Sequence, residues 1–151
     1  MDIREQLRRD HAKALAELGA IGQESDGRRA QVRLARLRHA WMVHALAEET
    51  VVYRALEGTP PAREADERFV EHELIEGLFE KLAHARAGTL EWQARVKVLR
   101  DLITRHVETE EGGMFVNLSE RYSAEELADM GRNFMLARDK LSMLEEAKKA
   151  A

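Results

Sequence analysis

Cysteine is absent from the sequence. Its absence excludes disulfides, thiolate zinc sites, cysteine-held iron-sulfur clusters and a cysteine nucleophile. Any metal ion in this protein must therefore be held by nitrogen and oxygen atoms.

The sequence also lacks long apolar runs and a basic excess. No stretch of about 18 apolar residues occurs, as a membrane span requires, and the N-terminus lacks the apolar segment of a signal peptide. We therefore expect a cytoplasmic protein with no membrane partner. The net charge of -4 and the pI near 5.9 predict that nucleic acid is not a partner either.

Proline occurs only twice and aromatic residues make up 5% of the chain, while Ala, Leu, Glu, Arg and Lys dominate. This composition predicts an all-α protein. Breaks rich in Gly, Pro, Asn and Ser occur at 22–27, 57–61, 86–89 and 111–123, which leaves helices near 2–21, 28–57, 62–86, 90–111 and 124–148. The last helix has a start signal, because Ser123 and Glu126 match a capping box.

Short links between long helices favour antiparallel neighbours. We therefore predict an up-down-up-down four-helix bundle over about residues 2–111. The additional C-terminal helix, over about 124–148, is expected alongside the bundle or across one end. Since 151 residues is the length of one domain, we predict a single domain over residues 1–151.

Three histidines are followed by a glutamate four residues later. The pairs are His44 with Glu48, His72 with Glu76, and His106 with Glu110. In a helix, residues at this spacing lie on one face one turn apart, so each pair projects toward one point.

Four histidines share a helix face with apolar residues: His11, His44, His72 and His106. The face of His72, for example, also carries Phe69, Ile75 and Phe79. At about 1.5 Å of rise per residue from each connecting loop, the four histidines fall in one layer of the bundle, together with Glu48 and Glu110.

A single histidine on such a face is commonly a hydrogen-bonded core residue. Four of them converging with carboxylates predict a cation site, because only a cation would satisfy so many buried polar groups together. His39 and His84 are rotated by about 140° and about 120° from their neighbours His44 and His72, so we expect both at the surface or its boundary.

Imidazole and carboxylate without thiolate favour iron or manganese over zinc. Because two carboxylates from different helices can each span two ions, a pair of metals is favoured over one. The Glu-x-x-His motif of ferritin-type dimetal bundles is absent, as is the His-Glu-x-x-His motif of zinc proteases.

The ordered set of His11, His44-x-x-x-Glu48, His72 and His106-x-x-x-Glu110 resembles the hemerythrin-like, or HHE cation-binding, domain family. Asp10 before His11 and the doubled Glu48-Glu49 and Glu110-Glu111 are also similar to that family.

The resemblance implies a non-haem centre of two iron ions joined by an oxo or hydroxo bridge, with manganese or zinc as alternatives. Glu48 and Glu110 would be bridging ligands, and His11, His44, His72 and His106 would be terminal ligands. Dioxygen, peroxide or nitric oxide would be the small ligands, as in the family's oxygen carriers, sensors, repair proteins and peroxide-decomposing enzymes.

The sequence departs from the oxygen-carrying members in two places. Glu76 stands where they have a second histidine, and His106-x-x-x-Glu110 replaces their His-x-x-x-x-Asp spacing. Either Glu76 is a metal ligand, which would stabilise the ferric state, or it accepts a hydrogen bond from a histidine N–H. Tyr53 lies half a turn away from the ligand face, and we expect it to serve packing.

Two functions are compatible with this set of residues. One is a di-iron protein that binds or reacts with dioxygen, peroxide or nitric oxide, with catalase-like peroxide decomposition as its candidate activity. The alternative is an iron- or oxygen-sensing interaction module in which the metal is structural. A metal-free bundle is the third option.

Overall fold

The computed structural model of the chain describes residues 1–59 and 62–151, except for the side chains of residues 62–65. The helices are α1 (Ile3–Gln23), α2 (Gly27–Glu48), α3 (Ala62–Ala83), α4 (Leu90–Thr109), α5 (Phe115–Arg121) and α6 (Ala124–Ala150). Two π-helical turns continue α2 and α4, namely π1 (Glu49–Tyr53) and π2 (Glu110–Met114). Over the described ranges the chain forms no β-strand, so the predicted all-α class is confirmed.

Side-chain caps fix where several helices begin. Asp2 and Glu5 form a capping box at α1, Asp26 caps α2 and Thr89 caps α4. The capping box predicted from Ser123 and Glu126 is present at the start of α6. These caps satisfy backbone N–H groups that the first helical turn leaves without partners.

The four long helices α1 to α4 pack as a ring in which each contacts the next and α4 contacts α1. This arrangement is the predicted bundle. Of the two placements expected for the C-terminal helix, the structure shows α6 alongside the bundle, where it packs against α1 and α2.

The bundle core consists of two apolar clusters. One contains Ala14, Leu18, Leu37, Trp41, Phe79 and Ile103, and the other contains Ile3, Leu7, Val52, Met114, Leu118 and Phe134. Along α1, the buried His11 falls between Leu7 of one cluster and Ala14 of the other. Along α2, His44 falls between Trp41 and Ala47 in the same way. The layer of histidines is therefore covered by apolar residues above and below.

One expectation about the elements is wrong. The segment 111–123 does not interrupt the helices as predicted, because π2 and α5 carry the chain helically through most of it. Burial of Met114, Phe115 and Leu118 in the core outweighs the poor helix propensity of the adjacent glycines.

The predicted break at 57–61 begins with a turn, and its two prolines lie outside the described residues.

Phe69 does not lie on the buried face that the sequence predicts, since it is 41% exposed. Its ring packs edge-on against Tyr53 with centroids 5.2 Å apart, so it covers the edge of the core and does not fill it. No helix of the described chain is both long and apolar enough to cross a membrane.

The contact between α6 and the start of α1 leaves no room for a side chain at Gly131. A Cβ atom there would lie 2.6 Å from the carbonyl oxygen of Met1 and 3.0 Å from the carbonyl carbon of Asp2, the residue that caps α1. We predict that Gly131→Ala lowers the free energy of unfolding by about 1–3 kcal/mol.

Gly77 is the matched control, because it lies inside α3 and a Cβ atom added there would have nothing within 4 Å. Gly77→Ala should raise the free energy of unfolding by about 0.5–1 kcal/mol through helix propensity alone. Chemical denaturation of both variants checks the pair. Equal effects of the two substitutions would contradict the close approach of α6 to α1.

Candidate metal centre

Six side chains converge in the layer between the two apolar clusters. Glu48 Oε2 lies 3.8 Å from His44 Nε2 and 3.6 Å from His72 Nε2. Glu110 lies opposite, with Oε1 2.9 Å from His106 Nε2 and Oε2 3.4 Å from His11 Nε2. Each glutamate therefore faces two histidines that come from different helices.

The donor atoms form two groups, and within each group they lie within 4.8 Å of one another. One group is His11, His44 and Glu48, and the other is Glu48, His72, His106 and Glu110. Because Glu48 belongs to both, the arrangement suits two neighbouring cations that share a carboxylate.

Each of the four histidines has a carboxylate on its other ring nitrogen. The Nδ1 partners are Glu111 for His11 (3.0 Å), Asp10 for His44 (3.1 Å), Glu49 for His72 (2.8 Å) and Glu71 for His106 (2.8 Å). Since an ionised carboxylate only accepts hydrogen bonds, we assign the ring proton to Nδ1. In the neutral imidazole that binds a metal, the lone pair of each Nε2 then faces the centre.

These supporting carboxylates are sequence neighbours of the central residues. Asp10 and Glu71 each precede a histidine, and Glu49 and Glu111 each follow a central glutamate. Successive helical side chains point about 100° apart, so the neighbour of a central residue reaches a histidine on the adjacent helix. The same residue pattern therefore occurs twice. Helices α1 and α3 each carry an acidic residue directly before the histidine, and α2 and α4 each begin a His-x-x-x-Glu-Glu sequence that ends in the following π turn.

Several atoms at this centre are buried and form no hydrogen bond to any residue that the structure describes, although His11 Nε2 and Glu110 Oε2 lie within ion-pair distance of each other. The atoms without such a bond are His11 Nε2, His44 Nε2, both carboxylate oxygens of Glu48, and Glu110 Oε2. Both glutamates are completely buried. A buried carboxylate without compensation costs several kcal/mol. The donor atoms present thus fit one or more cations, which would satisfy all of them at once.

The electrostatics of the protein without metal support the same interpretation. Burial alone would lower the pKa of His72 and His106, but the surrounding carboxylates outweigh it and raise these pKa values to about 9 and about 10. Although burial opposes ionisation, His106 and His11 hold the pKa of Glu110 well below its usual range. The centre has an excess of negative charge that protons or metal ions must balance.

Tyr53 belongs to the centre, although the sequence predicted that it serves packing alone. Its hydroxyl donates a hydrogen bond to Glu110 Oε1 at 2.5 Å and lies 3.3 Å from His72 Nε2. Burial and the nearby Glu48 and Glu110 carboxylates raise the pKa of Tyr53 well above its usual value, so the phenol stays protonated. The π1 turn explains the difference, because a π turn winds more residues per turn and rotates Tyr53 toward the ligand face. The helical spacing of the sequence gives no signal for this turn.

Glu76 does not join the centre, contrary to both roles expected for it. Its Oε1 accepts hydrogen bonds from the Arg38 guanidinium, with Nε at 3.0 Å, and its side chain is 40% exposed. The Nδ1 atom of His72 bonds to Glu49 instead. The pairing with Arg38 therefore holds Glu76 at the surface. The structure brings together the other six predicted ligands, and it places His39 and His84 away from the centre as expected.

Helix α6 reaches the centre through Arg138 and Phe134. Arg138 Nη1 donates to both carboxylate oxygens of Asp10, at 2.8 and 2.9 Å, and Asp10 accepts from His44. Burial raises the pKa of Asp10, but His44 and Arg138 outweigh it and the pKa lies below its usual range. The Phe134 ring packs edge-on to the imidazole of His44, 5.7 Å between centroids.

An all-α bundle with a buried cluster of four imidazoles and two carboxylates belongs to the class of helical proteins suited to metal binding. The chain belongs to the hemerythrin HHE cation-binding domain family, whose model matches residues 2–118. The resemblance predicted from the sequence is thereby confirmed.

The chain is also similar to a protein from Nostoc sp. strain PCC 7120 that is named DNA nickase, with 25% identity over 141 residues. The match covers 93% of this chain but 40% of that relative, so the chain spans less than half of the relative's length. No solved structure matches the chain significantly.

The supporting carboxylates generate a prediction about metal affinity. Glu71→Ala removes the acceptor that orients His106, and loss of such a partner typically weakens metal binding by about 10–100-fold. Glu73→Ala is the matched control, because Glu73 lies exposed on the same helix. Anaerobic competition of each variant with a chromophoric chelator for ferrous iron measures the change. Equal affinities of the two variants would contradict the assigned role of Glu71.

The placement of Glu76 generates a second prediction. Glu76→Gln should leave the metal content per chain unchanged, because its carboxylate bonds to Arg38 at the surface. Glu110→Gln removes a charge that faces His11 and His106, and we expect the loss of one or both ions. Elemental analysis after identical metal loading decides between them. A loss of metal from Glu76→Gln as large as that from Glu110→Gln would restore Glu76 as a ligand.

Proposed function

We propose that the centre holds two iron ions and that the protein binds or reacts with dioxygen, peroxide or nitric oxide. His11, His44, His72 and His106 would be terminal ligands, and Glu48 and Glu110 would bridge. The observation that carries the proposal is the two groups of buried imidazole and carboxylate donors that share Glu48, in which five atoms form no hydrogen bond to any residue that the structure describes.

Iron is favoured because the donors are nitrogen and oxygen only, with manganese and zinc as alternatives. The six side chains offer four imidazole nitrogens and four carboxylate oxygens. Two octahedral ions have about twelve coordination positions, so some remain for small ligands. A bound iron pair supplies redox-active, Lewis-acidic positions for dioxygen, peroxide or nitric oxide.

The residues of the chain perform three tasks at this centre. The four supporting carboxylates orient the imidazoles, and the apolar clusters above and below exclude bulk water. The Tyr53 hydroxyl keeps its proton and donates it in a hydrogen bond to Glu110 Oε1, beside His72. It is therefore a neutral proton donor close to a ligand that would bind between these two residues.

The first test is metal content together with reactivity. After anaerobic loading with ferrous iron and exposure to air, we expect about two irons per chain and near-ultraviolet absorption typical of a bridged ferric pair. Oxygen release on addition of peroxide would support catalase-like activity. Less than about one iron per chain, without this absorption, would contradict the proposal.

Tyr53 is tested against the other tyrosine of the chain. Tyr53→Phe should keep the iron content but slow peroxide decomposition by roughly tenfold or more, because the proton donor is lost. Tyr122→Phe is the control, since the Tyr122 hydroxyl bonds to the backbone carbonyl of Ala55 away from the centre. Equal rates in both variants would show that the Tyr53 proton is not used.

The alternative is an iron- or oxygen-sensing module in which the metal is structural. Its support is that the ligands come from all four bundle helices, so that metal binding would hold the whole bundle together. It predicts that His44→Ala lowers the melting temperature sharply and that the iron-loaded protein decomposes no peroxide. Rapid peroxide decomposition that is lost in His44→Ala would favour the enzyme.

DNA cleavage is not part of the proposal, although one relative is named DNA nickase. The net charge of -4 opposes binding to a polyanion, and the chain spans less than half of that relative. We expect supercoiled plasmid to remain intact with the iron-loaded protein. The proposal does include a cytoplasmic location for the protein.

A further inference from the structure

A cleft of about 730 Å³ lies between α1, α2 and α6, outside the candidate metal centre. This volume is in the range of small-molecule binding sites and exceeds the needs of a diatomic ligand. Apolar residues form part of its lining, including Ala14, Leu37, Ala40, Trp41 and Val43. The cleft is therefore able to hold an apolar body of several carbon atoms.

Cations line the same cleft. Arg33 is paired with Glu17 and Arg138 with Asp10. Lys13 and Arg36, in contrast, have no ion-pair partner in the part of the chain that the structure describes. Asp139 is an acidic residue of the lining that likewise has no partner there, so the unpaired groups carry a net positive charge. The charge complements a single anionic group.

The cleft also touches the centre. Trp41 and His44 line the cleft, and their ring centroids lie 5.2 Å apart. The Nε2 atom of the same His44 ring faces Glu48 of the candidate metal centre at 3.8 Å. A molecule in the cleft would therefore lie one side chain away from the candidate metal ions.

We propose that this cleft binds a small organic carboxylate with an apolar body. The carboxylate lies near Lys13 and Arg36, and the apolar body packs against Leu37 and Trp41. This site depends on the fold alone, so it does not require the proposed di-iron function to be correct.

The probe is 1-naphthoate, titrated into the iron-loaded protein by isothermal calorimetry. We expect saturable one-to-one binding with a dissociation constant below about 1 mM. The neutral analogue 1-naphthalenemethanol should bind about threefold to tenfold more weakly, because it lacks the charge that the exposed cations attract. Ala40→Phe, which fills the cleft from its exposed edge, should abolish binding.

The double substitution Lys13→Gln/Arg36→Gln should weaken naphthoate binding by about threefold to tenfold and reduce its dependence on salt. The control, Arg28→Gln/Lys140→Gln, makes the same change of charge outside the cleft. No saturable binding, or equal loss in both double variants, would overturn the proposal. Full naphthoate binding by Lys13→Gln/Arg36→Gln would also overturn it and would assign the carboxylate to the iron or another site.

Discussion

Two completely buried carboxylates, Glu48 and Glu110, impose the constraint on which the rest of the structure depends. Their charge must be balanced inside an apolar core, and four imidazoles and a phenol face them there. Protons or metal ions must complete that balance. Each of the four bundle helices contributes a histidine to this layer, and the two apolar clusters close it on both sides.

The supporting carboxylates extend this constraint to the outer faces of the bundle. Asp10, Glu49, Glu71 and Glu111 each fix a histidine on another helix, so the helices are tied together pairwise around the centre. Arg138 adds α6 to the network through Asp10. The C-terminal helix is therefore linked to His44 through Asp10, and Arg138 and His44 also line the cleft beside the centre.

Helical periodicity was sufficient to predict the bundle and the convergence of His11, His44, His72 and His106 with Glu48 and Glu110, because these residues follow the spacing of an α-helix. Tyr53 was missed because the π1 turn departs from that spacing. Glu76 was placed wrongly because its position depends on Arg38 of a neighbouring helix, a contact that no local pattern encodes. Helix α5 was not predicted either, because it forms through the packing of Phe115 and Leu118 in the core, which the local sequence does not reveal.

The most direct test of the central claim is a crystal structure of the iron-loaded protein with data collected on both sides of the iron absorption edge. Two anomalous peaks are predicted in the layer between the apolar clusters. Both peaks should contact Glu48, with His11 and His44 at one and His72 and His106 at the other. A single peak, or none between these residues, would contradict the account.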